Sequence, residues 1–321
     1  MDYAEKIKQL NRYAEDALGP LVGNRVIIPD APYYNNVGDI LIWQGMVDFL
    51  KHTGRQLISV SNGTTFQYQR LDENVTILLT GGGNFGDLWR RFQNDRLKII
   101  SRYPHNRIVM CPQSVWYEDA SLIRADADVF ARHPYLHLCA RDRWSYEFLK
   151  KHFGRNHVCL VPDMAFCIAD SRLAQYSGKE EADRRLFLRR IDKELTASTP
   201  LSLHDGSDIR DWPVLEHRPG YLELFDKAFG ISRRLKRSHM PARLFNKGID
   251  LFAERFIRTA FFEAGCEFLS PYAHVTTTRL HAMILAILLH KPVQYIDNST
   301  GKLSAFVDTW LTDLSHLKVY E

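Results

Sequence analysis

Cysteine is scarce in this chain. The five thiols, Cys111, Cys139, Cys159, Cys167 and Cys266, are odd in number and nowhere spaced as CxxC. That excludes a zinc ribbon and a disulfide framework and leaves reduced thiols, as expected of a cytoplasmic protein. Long apolar runs are missing as well. The longest strongly apolar stretch, Ala282 to Leu289, falls far short of the roughly 20 residues that cross a bilayer. The opening MDYAEKIKQL is charged throughout and has no apolar core ahead of a cleavage site, so no export signal is expected. HExxH and GxSxG do not occur, so metal hydrolase and α/β-hydrolase readings drop out and no metal is expected. No repeat or low-complexity tract is found.

What is present is an ordinary globular composition: 321 residues, 45% hydrophobic and 25% charged. At roughly 150 residues per domain, this is two modest domains or one large one. The net charge, 42 − 38 = +4, is too mild to imply a nucleic-acid partner, and no nucleic-acid motif accompanies it. The charge is unevenly placed, however. No acid lies between Asp226 and Asp250, while Lys227, Arg233, Arg234, Lys236, Arg237, Arg243 and Lys247 are all basic. Two readings stand for residues 227–247. One is a solvated loop; the other is a surface for anionic lipid or phosphate, placing the protein at the inner face of the cytoplasmic membrane.

Short apolar runs at 25–29, 57–60, 75–80, 107–111, 136–140 and 157–161 have the β-branched, turn-flanked character of buried parallel strands. Helical spacing separates several of them, after Asp39, over 88–100 and over 144–149. The chain changes character near Ser171, where a polar stretch leads into the strand 186–190. Beyond it the pattern is irregular until a helix over 247–269. A strand at 274–278, a helix over 279–289, a strand at 292–296 and a helix from Gly301 complete the pattern. The expected fold class is α/β, with two Rossmann-like domains (1–183 and 184–321) around a central cleft.

In such folds ligands lie beyond the carboxyl ends of strands. Strand 75–80 runs into Gly81, Gly82, Gly83, Asn84, Phe85, Gly86 and Asp87, then a helix. This is either a tight strand-to-helix turn or a loop whose amides approach a ligand. Asn36, Val37, Gly38 and Asp39 open a helix, for which Asp39 is a natural cap. Arg141 follows a strand directly, either as an anion-binding guanidinium or in a surface ion pair. Arg279 and His281 sit at a helix start ahead of a wholly apolar run, a setting suited to acid chemistry at His281. The turn 297–302 offers a phosphate cradle without Walker A spacing.

Taken in order, NVGD (36–39), GGGNFGD (81–87), PQS (112–114), ARDRWS (140–145), VPD (161–163), LFLRRIDKE (186–194) and TTRLHAMILA (277–286) resemble the polysaccharide pyruvyl transferase family. So does the tail KPVQYIDNSTGKLSAF. The resemblance runs from about residue 25 to 310 and is nearest the exopolysaccharide and succinoglycan-type members; 196–245 match least. It implies a GT-B-like fold and transfer of the pyruvyl group of phosphoenolpyruvate onto two hydroxyls of a sugar in a polysaccharide or lipid-linked oligosaccharide. Phosphoenolpyruvate is then a co-substrate and no cofactor is needed. The resemblance carries Arg141, Arg279 and Leu280 over as donor ligands. Arg189 and Lys302 join them because a phosphate beside a carboxylate needs several fixed cations. His281 is the expected proton donor and Asp39 a second catalytic group. Asn36, Gly38, Gly81, Gly82, Gly83, Asn84 and Asp87 form acceptor-side loops. The rival classes are a nucleotide-sugar glycosyltransferase on the same fold and a non-catalytic carbohydrate-binding protein. A NAD-dependent oxidoreductase ranks below both: Gly81, Gly83 and Gly86 fit the spacing GxGxxG, but the next strand ends in Cys111-Pro112-Gln113 without the acid that binds a ribose hydroxyl.

Overall fold

A computed structural model describes residues 1–320 except 193, 204–205, 214–219, 236–239 and 315–316. Its first sheet contains β1 (Arg25–Ile28), β2 (Gln56–Val60), β3 (Val75–Leu79), β4 (Gly82–Gly86), β5 (Ile108–Trp116), β6 (Leu136–Ala140) and β7 (His157–Leu160). The order is β2-β1-β3-β5-β6-β7, with β4 paired to the far part of β5. The second sheet contains β8 (Arg185–Leu188), β9 (Asp208–Arg210), β10 (His274–Thr277), β11 (Val293–Tyr295) and β12 (Lys318–Val319), in the order β12-β11-β10-β8-β9. Every pairing is parallel. The helices are α1 (Tyr3–Leu18), α2 (Val37–His52), α3 (Arg90–Arg102), α4 (Ala120–Phe130), α5 (Arg143–His152), α6 (Asp170–Leu173), α7 (Gly220–Ser232), α8 (Met240–Phe252), α9 (Arg258–Leu269), α10 (Leu280–Leu288) and α11 (Lys302–Trp310). The fold is α/β, with two Rossmann-like sheets in the GT-B-like manner. No described helix is long and apolar enough to cross a membrane.

Alternation along the strands explains the core. Val26, Ile28, Leu78 and Val109 point to one face of the first sheet, and Ile27, Ile77, Leu79 and Met110 to the other. The first set joins a single apolar cluster that continues through α2, α9 and α10 to Leu186 and Leu188 of β8. The two sheets are thus joined by packed side chains as well as by the chain itself. The C-terminal helix returns to the first half, where Trp310 Nε1 donates to the Arg141 carbonyl at 2.7 Å.

Three expectations need correction. The glycine-rich segment does not turn directly into a helix: it forms β4, and α3 begins only at Arg90, after Trp89, with no side-chain cap. The expected helix 247–269 is longer and broken. It starts at Met240, with Pro241 in the first turn where a missing N–H costs nothing, and passes through a π-helical turn, Ala253–Ile257, into α9. The stretch read as irregular contains β9 and α7.

Candidate active site

Strand order reverses between β1 and β3 in the first sheet and between β8 and β10 in the second. Beyond the carboxyl ends of these four strands the sheets leave no strand-to-strand packing, so a crevice opens there. The segments that follow these strands all line one cleft of about 420 Å³: Tyr34, Asn36 and Asp39 with Gly83 and Asn84 from the first half, and Arg190, Asp192 and Glu194 with Arg279 to His281 from the second.

His281 lies in the first turn of α10, its ring laid on the backbone of α2. A Cβ placed on Gly38 would stand 2.6 Å from His281 Nδ1, so only glycine admits the ring at this position. Nε2 faces the carboxylate of Asp163 at 3.3 Å and Arg141 Nη1 at 3.5 Å. Asp163 is buried and also accepts from Arg141 Nη1 at 2.9 Å and from Ala165 N at 3.0 Å. Burial alone would raise its pKa, but the His281 and Arg141 charges outweigh burial and hold the carboxyl well below the usual range. Arg141, only 2% exposed, is fixed further by Nε, which donates to Ser114 Oγ at 2.8 Å. Ser114 in turn donates to Asp142 at 2.6 Å, and Asp142 caps α5.

The second half adds three cations, each paired with an acid. Arg190 reaches Asp192 at 2.7 Å and Glu194 at 3.1 Å. Lys302 reaches Glu194 at 3.1 Å, and Arg279 is forked onto Asp211 and also meets Asp192 at 3.1 Å. Burial works against the charge on Arg279, yet Asp211 and Asp192 raise its pKa overall. For Lys302 burial prevails and pulls the ammonium down despite Glu194, with Arg141 adding to the effect. Asp192 is held at about 2, since the Arg190 and Arg279 charges overcome its burial. The halves meet at Gly83, where a Cβ would lie 3.0 Å from Lys302 Nζ and 3.3 Å from Arg141 Nη2.

The structure brings together His281, Asp39, Arg141, Arg279, Leu280, Lys302, Asn36, Gly83 and Asn84 on the cleft wall, with Gly38 beneath His281. Asn84 is tied by its side chain and its carbonyl to the fully buried Arg96. Asp39 is not the cap of α2. Asn36 caps it by accepting from Gly38 N, while Asp39 accepts from Tyr34 Oη and Asn36 Nδ2, both at 2.8 Å. Three expectations fall away from the cleft. Arg189 donates to the Pro200 carbonyl at 3.0 Å, because the strand's alternation gives the cleft to Arg190 instead. Asp87 accepts from Glu118 N and Asp119 N and ties β4 to the start of α4. Gly81 and Gly82 are buried and do not line the cleft. The turn 297–302 is no phosphate cradle. Its amides at Thr300 and Lys302 are satisfied by Asn298, and those of Leu303 and Ser304 by Asp297.

Sequence reasoning missed Asp163, Arg190, Asp192, Glu194 and Asp211. VPD and LFLRRIDKE carried four of them, but an acid acquires meaning only once its cationic partner is known. Among the described residues no group of three or more His, Cys, Asp or Glu side chains could hold a metal ion.

Comparison with known proteins gives a consistent picture. Residues 36–300 match the family described as polysaccharide pyruvyl transferase. EpsO of Bacillus subtilis, which bears the name of a pyruvyl transferase, is 33% identical over 291 residues, covering 90% of this chain and 86% of that protein. Pyruvyl transferase 1 of Schizosaccharomyces pombe is 30% identical over 241 residues, 74% of this chain and 55% of that one. A functionally uncharacterized protein of Klebsiella pneumoniae shares the fold at 18% identity, with a TM-score of 0.56, 99% of this chain and 98% of that chain being covered.

Proposed function

Because the chain belongs to the polysaccharide pyruvyl transferase family, we propose that it moves the pyruvyl unit of phosphoenolpyruvate onto two hydroxyls of one sugar in a polysaccharide or lipid-linked oligosaccharide, closing a pyruvate ketal. The observation that carries this reading is the convergence of Arg141, Arg190, Arg279 and Lys302 on one cleft beside the His281–Asp163 pair. A small donor bearing both a phosphate and a carboxylate suits such a set, because guanidinium forks match both groups.

In this reading His281 is the proton donor to the methylene carbon of the donor. Nε2 is engaged by Asp163 and Nδ1 faces Gly38, so the ring must tip towards the cleft to deliver the proton. The cation that develops at the neighbouring carbon is captured by one sugar hydroxyl. The carbon–oxygen bond to phosphate then breaks, and the second hydroxyl closes the ketal. Of the two hydroxyl protons released, one balances the proton gained by the methyl group and the other leaves with phosphate. Asp39, oriented by Tyr34 and Asn36, is the carboxylate that the first half contributes to the cleft lining and the candidate to hold the acceptor.

The test is phosphate release from phosphoenolpyruvate with a panel of oligosaccharide acceptors, followed by mass spectrometry of the products. The expected product gains one pyruvate less one water. His281→Gln should stay folded and bind donor, yet lose turnover by roughly 10²–10⁴-fold. Turnover with nucleotide sugars in place of phosphoenolpyruvate, or a fully active His281→Gln, would overturn the reading.

A further inference from the structure

Helices α7 and α8 pack against each other beside the cleft. Their inner faces are accounted for: Phe225 and Phe229 meet Tyr33 edge-to-face with ring centroids 6.2 and 5.9 Å away, one residue from Tyr34 in the cleft wall. Asp250 of α8 accepts from Tyr33 and Thr65. Their outer faces are not what solvent selects. Leu224, Met240 and Leu244 are 68%, 67% and 66% exposed, and Ile231 and Leu251 are exposed as well. Of the 19 large apolar side chains exposed among the described residues, nine fall within 221–256. Even scatter, the ordinary behaviour of single exposed apolar residues, would put about two there.

Basic side chains surround this apolar surface. Lys227, Arg233, Arg234, Arg243, Lys247 and Arg255 are exposed on or beside the two helices. Lys236 and Arg237, read from the sequence as part of the same surface, lie outside the described residues. The acids carried by these helices and the turn after them are Glu223 and Asp226 early in α7, the inward-facing Asp250 and the half-buried Glu254. The seven basic residues of 227–247 exceed the whole positive excess of the chain, leaving 35 basic against 38 acidic residues elsewhere. A second copy on this face would set like charges against each other across a two-fold axis. A nucleic acid would use the cations and leave the leucines in water. A bilayer surface uses both: apolar side chains sink into the headgroup boundary, while lysines and arginines reach anionic headgroups.

We propose that the outer faces of α7 and α8 dock on an anionic lipid surface and hold the cleft beside it. The inference stands independently of the donor and acceptor proposed above, since it concerns a different surface. The test is flotation of the full chain with vesicles of phosphatidylcholine alone or mixed with phosphatidylglycerol, across a salt series. Binding to the anionic vesicles only, weakening with salt, is expected. Each basic residue contributes about fivefold, so Arg233→Gln with Arg243→Gln and Lys247→Gln should weaken binding on the order of 100-fold. Leu224→Ser with Leu244→Ser should abolish flotation while phosphate release on a soluble acceptor continues, separating this proposal from the catalytic one. Equal binding to both vesicle types, no binding by the parent protein, or unchanged binding by these variants would overturn it. So would a change in oligomeric state of the Leu224→Ser/Leu244→Ser protein by gel filtration, which would make the face a contact between copies.

Discussion

One methyl group placed at Gly38 tests the seat of the imidazole. A Cβ there would lie 2.6 Å from His281 Nδ1, 3.0 Å from its Cγ and 3.1 Å from its Cβ. Carbon and ring atoms rest at about 3.5 Å, so the ring must retreat by ~1 Å. It cannot absorb this by moving its backbone, because Leu280 and Ala282 on either side are buried in the core shared by both sheets. The retreat therefore falls on the 3.3 Å contact to Asp163 and the 3.5 Å approach to Arg141. A misplacement of about 1 Å at a reacting group costs roughly 10²-fold in rate. Stability moves in the opposite direction, since alanine is favoured over glycine in a helix by ~1 kcal/mol, offsetting part of the strain. Gly38→Ala should thus melt close to the parent protein and bind phosphoenolpyruvate through Arg279 and Lys302, yet release phosphate about 100-fold more slowly. The measurements are steady-state phosphate release at saturating donor, a calorimetric melt and a donor titration. A folded Gly38→Ala with parental turnover would refute both the seat and the placement of the chemistry at His281.

Arg190→Ala should weaken donor binding by a charge-assisted contact worth roughly 1.5–3 kcal/mol, whereas Arg189→Ala should leave it nearly unchanged; equal effects in calorimetry would mean that the assignment by strand alternation is wrong. Asp163→Asn should lose most turnover and be destabilised at neutral pH by about 3–5 kcal/mol, because it leaves buried cations uncompensated. Since the Asp163 pKa is depressed in the fold, its contribution is present above the unfolded value of ~3.9 and lost as pH falls through the folded value. The gap in melting temperature between parent and variant should accordingly close in acid, and a gap that widens there would contradict the ion pair. Asp250 has the opposite sign: burial raises it to about 7 despite the Thr65 and Tyr33 hydroxyls. Its stabilising contribution is full below ~3.9 and is lost as pH rises through about 7, an effect of at most ~4 kcal/mol for a partly exposed group. Asp250→Asn, which still accepts both hydroxyl bonds, should flatten that decline in a melting series from acid to neutral pH.

Much of the fold was legible because parallel strands buried on both faces leave uninterrupted apolar runs, as at 75–80 and 107–111. What escaped notice had other signals. Helix α1 buries Ile7, Leu10, Ala14 and Leu18 behind a charged exterior, and its spacing passes for a polar terminus. Helix α7 carries apolar residues on both its buried and its exposed side, which blurs the amphipathic period. Strand β9 is three residues long and edges its sheet. At the site, residues at strand ends could be found by position alone, which is how His281, Arg279 and Arg141 were reached. The choice between Arg189 and Arg190 needed the register of β8 against β10, where Leu188 pairs with Thr277. One residue of register separates a side chain in the cleft from one bonded to Pro200.

The acids of the cleft complete the physical picture. Four buried or half-buried cations without counterions would repel one another and resist desolvation, so a bare cationic pocket of this size would not stay folded in one arrangement. Asp163, Asp192, Glu194 and Asp211 remove that cost, and they also fix where each guanidinium or ammonium points before any ligand arrives. The cleft is therefore close to neutral, and long-range attraction cannot be what selects its ligand. In the proposed reading selection falls to short-range geometry beside Gly83, where Arg141 Nη2 and Lys302 Nζ approach a backbone that carries no side chain. In that reading, a small anion held by Arg141 and Lys302 would gain contacts from both halves of the molecule at once. On the proposed function, the same paired charges that let the core tolerate an ionic cleft would also make it discriminate by size and fit, with ions already held in place before the donor's negative charge arrives.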